Sequence, residues 1–201
     1  MNGLPREEAV QILLAASRDF YSRGWMPGTS GNLSLRLEPL TFLVTASGKD
    51  KGALGPADFL VVNQRGELLE PTSQRPSAET PIHRRLYSSF AVGAVYHVHA
   101  LSSVIISRRY RSEGKVVIRE LEILKGLEGV AADEVIEIPV LANDPHIPAL
   151  AEAIVAAARP NVPGVLIDGH GLYAWGASAF TAKRHLEVLE YLCQYLVLAG
   201  G

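Results

Sequence analysis

Disulfides are excluded first: the 201-residue chain has a single cysteine, Cys193. That thiol sits in the apolar stretch LEYLCQYLVLAG, where it reads as a packed core side chain rather than a nucleophile. No excess of one charge is present either, since 19 Lys and Arg face 21 Asp and Glu for a net −2. This excludes the basic footprint of a nucleic-acid-binding protein and the like-charge block that docks on a membrane surface. No apolar run reaches membrane-spanning length, and the opening MNGLPREEAV lacks the apolar segment of a signal peptide. The expectation is a soluble, cytoplasmic protein. Internal repeats, low-complexity tracts and linkers are missing, which leaves one domain over residues 1–201. With 48% hydrophobic residues, that domain can bury its own core. Neither GxxxxGK[ST] nor GxGxxG occurs, so the standard nucleotide-binding glycine loops are absent as well.

What is there alternates between two periodicities. PREEAVQILLAASRDFYSRG predicts a helix: Pro5 suits its first turn, Glu7 and Glu8 complement the dipole, and Gly24 ends it. NLSLRL, TFLVTAS and DFLVVNQRGELLE are β-rich runs, the last interrupted by a turn at NQRG. SAETPIHRRLYSSF predicts a helix with Ser77 as its N-cap. AVGAVYHVHA, VVIREL and EVIEIPV predict strands, LSSVIISRRY and IPALAEAIVAAAR helices. GVLIDGHGLYAWG reads as two strands about a glycine turn, and a long helix capped by Ser178 closes the chain. The hairpins argue against a purely parallel sheet. The predicted class is α/β with an α+β character, a mostly antiparallel central sheet flanked by helices.

Inside AVGAVYHVHA, His97 and His99 stand two residues apart and therefore share one face of the strand. Such a pair is either a hydrogen-bonded core feature or two ligands. His170, between Gly169 and Gly171 in a turn, adds a third imidazole that no packing need explains. Three histidines from two strand ends make a nitrogen set with an open position, the arrangement catalytic zinc uses, although other divalent ions also accept imidazole. A catalytic metal needs an acid or base nearby. Glu79, in the first turn of its helix, is one candidate; Glu122, between Leu121 and Ile123 in RELEILKGLEG, is another. If that segment is a strand, Glu122 shares a face with Glu120, which is either surface patterning or, given its apolar neighbours, a carboxylate with a pKa raised for proton transfer. PGTSGNLS and TASGKDKG, the latter with Lys49 and Lys51, combine glycine, hydroxyls and lysine in turns, which with Ser77 can cradle a phosphate. His83, four residues after Glu79 on the same helix, either borders the site or, the preferred reading, sits at the helix surface; His146 in its loop and His185 in the last helix read as structural.

PGTSGNLSLR, TASGKDKG, RPSAETPIH, HVHA and GHGLYAWG, in this order from Pro27 to Gly176, resemble the class II aldolase/adducin family. The resemblance implies a three-layer domain, a homotetramer with sites near subunit interfaces, and one Zn2+ per subunit held by His97, His99 and His170. It places Asn32, Ser47, Gly48 and Ser77 in a phosphate pocket, with Lys51 added. Glu79 occupies the position of the aldolases' acid/base carboxylate. Glu122 occupies that of the dehydratases, which makes it the preferred proton carrier. SGKDKG, ELEILKGLEG and the GLYAWG ending with Trp175 resemble the family's dehydratases more than its aldolases. The activity implied is zinc-dependent dehydration of 5-methylthioribulose 1-phosphate in methionine salvage, through a metal-stabilised enediolate. A zinc-dependent sugar-phosphate aldolase or epimerase is the other reading. The partner is a small sugar phosphate, not a nucleic acid or a membrane.

Overall fold

The computed structural model describes residues 4–200. Eight strands form one sheet: β1 (Asn32–Glu38), β2 (Thr41–Thr45), β3 (Phe59–Asn63), β4 (Ala94–Val98), β5 (Lys115–Arg119), β6 (Val135–Leu141), β7 (Gly164–Ile167) and β8 (Gly171–Gly176). Their order across the sheet is β3-β2-β1-β4-β8-β7-β6-β5. Every neighbouring pair is antiparallel except β6 and β7. Those two run parallel because a helix, α4 (Ile147–Ala157), carries the chain back across the sheet between them. The other helices are α1 (Arg6–Ser22), α2 (Thr80–Ser89), α3 (Leu101–Arg109) and α5 (Ala179–Leu198).

The strand period of two divides the sheet into two cores. On β8, Leu172 and Ala174 face a cluster built with Leu13 and Phe20 of α1, Ile106 of α3 and Leu186 and Leu189 of α5. Tyr173 and Trp175 face the opposite cluster, with Ile82 and Leu86 of α2 and Leu150 and Ile154 of α4. Helices therefore cover both faces, giving the three layers. Cys193 is buried on α5, as its surroundings in the sequence required, and burial pushes its thiol pKa up. Ser178 caps α5, its Oγ accepting from the Thr181 N–H at 3.1 Å.

Two local expectations differ. α2 begins at Thr80, after Ser77, whose Oγ accepts from the Glu79 N–H at 3.3 Å instead of capping the helix itself. Pro81 cannot supply an N–H and sits in the first turn, where none is needed. ELEILKG does not extend the preceding strand. Glu120 takes a left-handed φ of 57°, which breaks the strand, and Glu122–Gly126 form a 3-10 turn.

Candidate metal centre

The site lies where the start of β1, the end of β4 and the start of β8 meet. Register pairs Asn32 with His97, and His97 with Tyr173. Two glycines permit this approach. A Cβ at Gly171 would lie 2.1 Å from the Val98 carbonyl oxygen, and one at Gly31 (φ 75°) 2.8 Å from that of His97. The backbones can close only without those side chains. His170, in the turn between β7 and β8, is thereby brought against the His97–His99 pair.

The three imidazoles converge through their Nε2 atoms, with His97 Nε2 at 3.0 Å from His99 Nε2 and 3.3 Å from His170 Nε2. Their ligand atoms all lie within 4.8 Å of one another. A tetrahedral cation bound by nitrogens at about 2.0–2.1 Å holds them roughly 3.3–3.4 Å apart, so the set has the right dimensions. Proton placement fits too. The fully buried His97 donates Nδ1–H to the Leu172 carbonyl at 3.1 Å, which leaves its Nε2 lone pair facing the other two rings. Burial, reinforced by the neighbouring imidazoles, holds His97 well below the usual histidine range and pushes His99 down to about 4. Neutral rings with lone pairs turned toward one point are what a divalent cation requires.

Glu79 reaches the same point. Its Oε1 is 3.3 Å from His170 Nε2, its Oε2 3.5 Å from His97 Nε2, and Oε2 also accepts from Asn32 Nδ2 at 2.5 Å. Beside it opens a cavity of about 300 Å3, lined among others by Asn32, Ser47, Gly48, Lys51, Ser77, Glu79 and His99. The structure thus brings every residue expected at a phosphate pocket to one wall of the histidine cluster. Lys51 is 2% exposed, and burial lowers its pKa. Its Nζ donates to the carbonyls of Thr29 (2.8 Å) and Lys49 (2.9 Å), which holds the ammonium in place with one N–H to spare. Lys49 pairs instead with Asp58 at 3.0 Å.

Glu122 is not brought to this cavity. Its side chain is 79% exposed and accepts from Lys125 Nζ at 2.7 Å, so the apolar enclosure read from Leu121 and Ile123 does not form around it. Two residues go the other way. His83, expected on the helix surface, is fully buried, bonded through Nε2 to Asn32 Oδ1 and through Nδ1 to Ser34 Oγ. Burial drives its pKa down to about 4. Its position four residues after Glu79 was the signal, since i and i+4 share a helix face. Tyr173, with no signal beyond its strand, stacks on His97 with ring centroids 3.9 Å apart. Its buried hydroxyl makes no hydrogen bond of good geometry among the described residues, and burial, followed by the nearby Glu79 carboxylate, pushes it well above the usual phenol range.

The profile of the family described as Class II Aldolase and Adducin N-terminal domain matches residues 11–197, and the chain belongs to that family. Among its relatives, "Methylthioribulose-1-phosphate dehydratase" of Pseudomonas aeruginosa is 42% identical over 200 residues, covering 96% of this chain and 97% of that protein. The protein of the same description from Bacillus subtilis is 42% identical over 193 residues, 94% of this chain and 92% of its own. In solved structures, L-fuculose-1-phosphate aldolase from Thermus thermophilus superposes with a TM-score of 0.75 at 26% identity, covering 96% of this chain and 95% of that one. Sugar-phosphate aldolase from Thermotoga maritima, at 18% identity and a TM-score of 0.72 over 97% of both chains, shares the fold.

Proposed function

We propose that this chain dehydrates 5-methylthioribulose 1-phosphate to 2,3-diketo-5-methylthiopentyl 1-phosphate, with Zn2+ held by His97, His99 and His170. The observation that carries the reading is one wall shared by two chemistries: convergent imidazole nitrogens and a donor-lined anion cavity with a buried lysine. Relatives at 42% identity over almost the whole chain, described as dehydratases of this substrate, support it over an aldolase. A bound divalent cation supplies Lewis acidity at the C2 carbonyl.

In this reading Ser47, Gly48, Ser77 and Asn32 donate to the phosphate, and the third N–H of Lys51 adds charge. Glu122 takes the proton from C3 and returns it to the C4 hydroxyl, which leaves as water, and the enol relaxes to the diketone. Glu122 is exposed and lies off this chain's own cavity, and in this reading it serves the site of a neighbouring copy within a homotetramer. Glu79, whose Oε2 is held by Asn32, offers Oε1 to the substrate hydroxyls as the chain's own carboxylate. Among the described residues no helix is long and apolar enough to cross a membrane, which accords with a cytoplasmic enzyme.

The deciding experiment supplies 5-methylthioribulose 1-phosphate, fuculose 1-phosphate and ribulose phosphate separately and identifies the products. Formation of the diketone from the first alone is the expected result. Release of an aldehyde without diketone assigns the chain to the aldolases instead.

A further inference from the structure

Behind Glu79, away from the cavity, a file of polar side chains runs into the core between β1 and α2. Asn32 Nδ2 donates to Glu79 Oε2 at 2.5 Å, and Asn32 Oδ1 faces His83 Nε2. His83 Nδ1 lies 2.7 Å from Ser34 Oγ, which lies 2.8 Å from the Tyr87 hydroxyl. Asn32, Ser34, His83 and Tyr87 are each at most 4% exposed. Their apolar neighbours include Ile82, Leu86 and Val95. An aliphatic residue would fill the place of His83 without the desolvation cost of an imidazole, so packing does not account for it.

We propose that His83 is a positioning residue of the active site: through Asn32 it fixes which oxygen of Glu79 is engaged and which is presented to substrate. The direction of every bond in the file follows from its end. A carboxylate only accepts, so Asn32 must turn its NH2 toward Glu79 and its carbonyl oxygen toward His83. His83 must then carry its proton on Nε2 and leave Nδ1 bare. Ser34 must donate to Nδ1 and accept from Tyr87, whose other approach, to the Gly93 carbonyl, is longer at 3.5 Å. With Glu79 as a carboxylate, Asn32, His83 and Ser34 each give one bond along the file and take one. Without the His83 donor the Asn32 carbonyl oxygen loses its partner, and the amide is held at one end only, by the carboxylate it positions. Glu79 would then swing, and the oxygen left for substrate would no longer be defined.

This inference rests on the role given to Glu79 above, and the test separates the two. The first readout needs no turnover: long-range 15N NMR of the full chain should show His83 as the Nε2–H tautomer from pH 6 to 8. An Nδ1–H tautomer overturns the proposal. The second is a double-mutant cycle on kcat. His83→Phe should lower kcat about 10- to 100-fold, the range for losing a group that orients a functional residue. His83→Gln, which keeps an N–H donor, should recover most of that. In a Glu79→Ala background His83→Phe should cost less than about twofold more, whereas full additivity refutes coupling through Glu79. Should His83→Phe fail to fold, Ser34→Ala breaks the same file one link further back, with a smaller loss that must likewise vanish in Glu79→Ala. If Glu79→Ala alone leaves turnover intact, the role of Glu79 is what fails, while the tautomer still decides the geometry of the file.

Discussion

Glu190 on α5 is a buried carboxylate that the proposed chemistry does not use, and it makes stability depend on pH in a calculable way. It is 1% exposed. Gln194 approaches Oε1 only at 3.5 Å, and Oε2 has no partner among the described residues. Burial raises its pKa from 4.5 to about 7, against an opposing pull from Ser102 and Ser103 at the start of α3. Below pH 4.5 both folded and unfolded chains are protonated there, and nothing is lost. As pH rises toward 7 the unfolded chain ionises first, so the folded state loses stability, and the loss levels off above 7. The full penalty is about 3 kcal/mol, most of which develops between pH 5 and 8. Glu190→Gln removes the titration while keeping the shape. Urea unfolding of both proteins at pH 5, 6, 7 and 8 should show the variant gaining on wild type by about 2 kcal/mol or more across that range. Parallel stability curves would refute the reasoning, because a carboxylate that costs nothing to ionise is not isolated from charge or water.

Three further outcomes are expected. His170→Ala should lose bound metal and turnover together, whereas Glu122→Gln should lose turnover and keep its metal; elemental analysis of protein purified without a polyhistidine tag, beside an activity assay, reads both. Lys51→Met should raise KM for the phosphorylated substrate about 10- to 100-fold, the worth of one charge-assisted hydrogen bond, with a smaller change in kcat. Gly171→Ala should cost about 3 kcal/mol or more in chemical denaturation, since its methyl would meet the Val98 carbonyl oxygen at 2.1 Å, a contact only backbone movement can relieve.

Local pattern carried the layers. Strand alternation in β4 and β8 and helical spacing in α1 and α5 are written within a few residues each, and the mostly antiparallel sheet followed from its hairpins. Bringing His170 beside His97 and His99 is a long-range fact, seventy-odd positions apart, which the glycines flanking His170 hinted at and the family resemblance implied. The surroundings of Glu122 were misread because its neighbours Leu121 and Ile123 are apolar in sequence, while the left-handed Glu120 turns the segment out of the sheet and leaves the carboxylate exposed. A backbone reversal at a non-glycine residue leaves no mark in composition. His83 was underrated for a complementary reason. Its spacing from Glu79 was visible, but whether a helix face meets solvent or a polar pocket depends on what β1 places opposite, here Asn32 and Ser34.

The acceptor that orients the first histidine is a main-chain carbonyl, that of Leu172 on the adjoining strand. Peptide oxygens survive every amino-acid replacement, so mutation at 172 can change packing without erasing this anchor. Only a slip of one strand along the other would displace it, and such a slide would also turn the ring to the wrong side. Ligand basicity is thereby insulated from sequence drift, and divergence among related enzymes is free to act on the side chains around the ion.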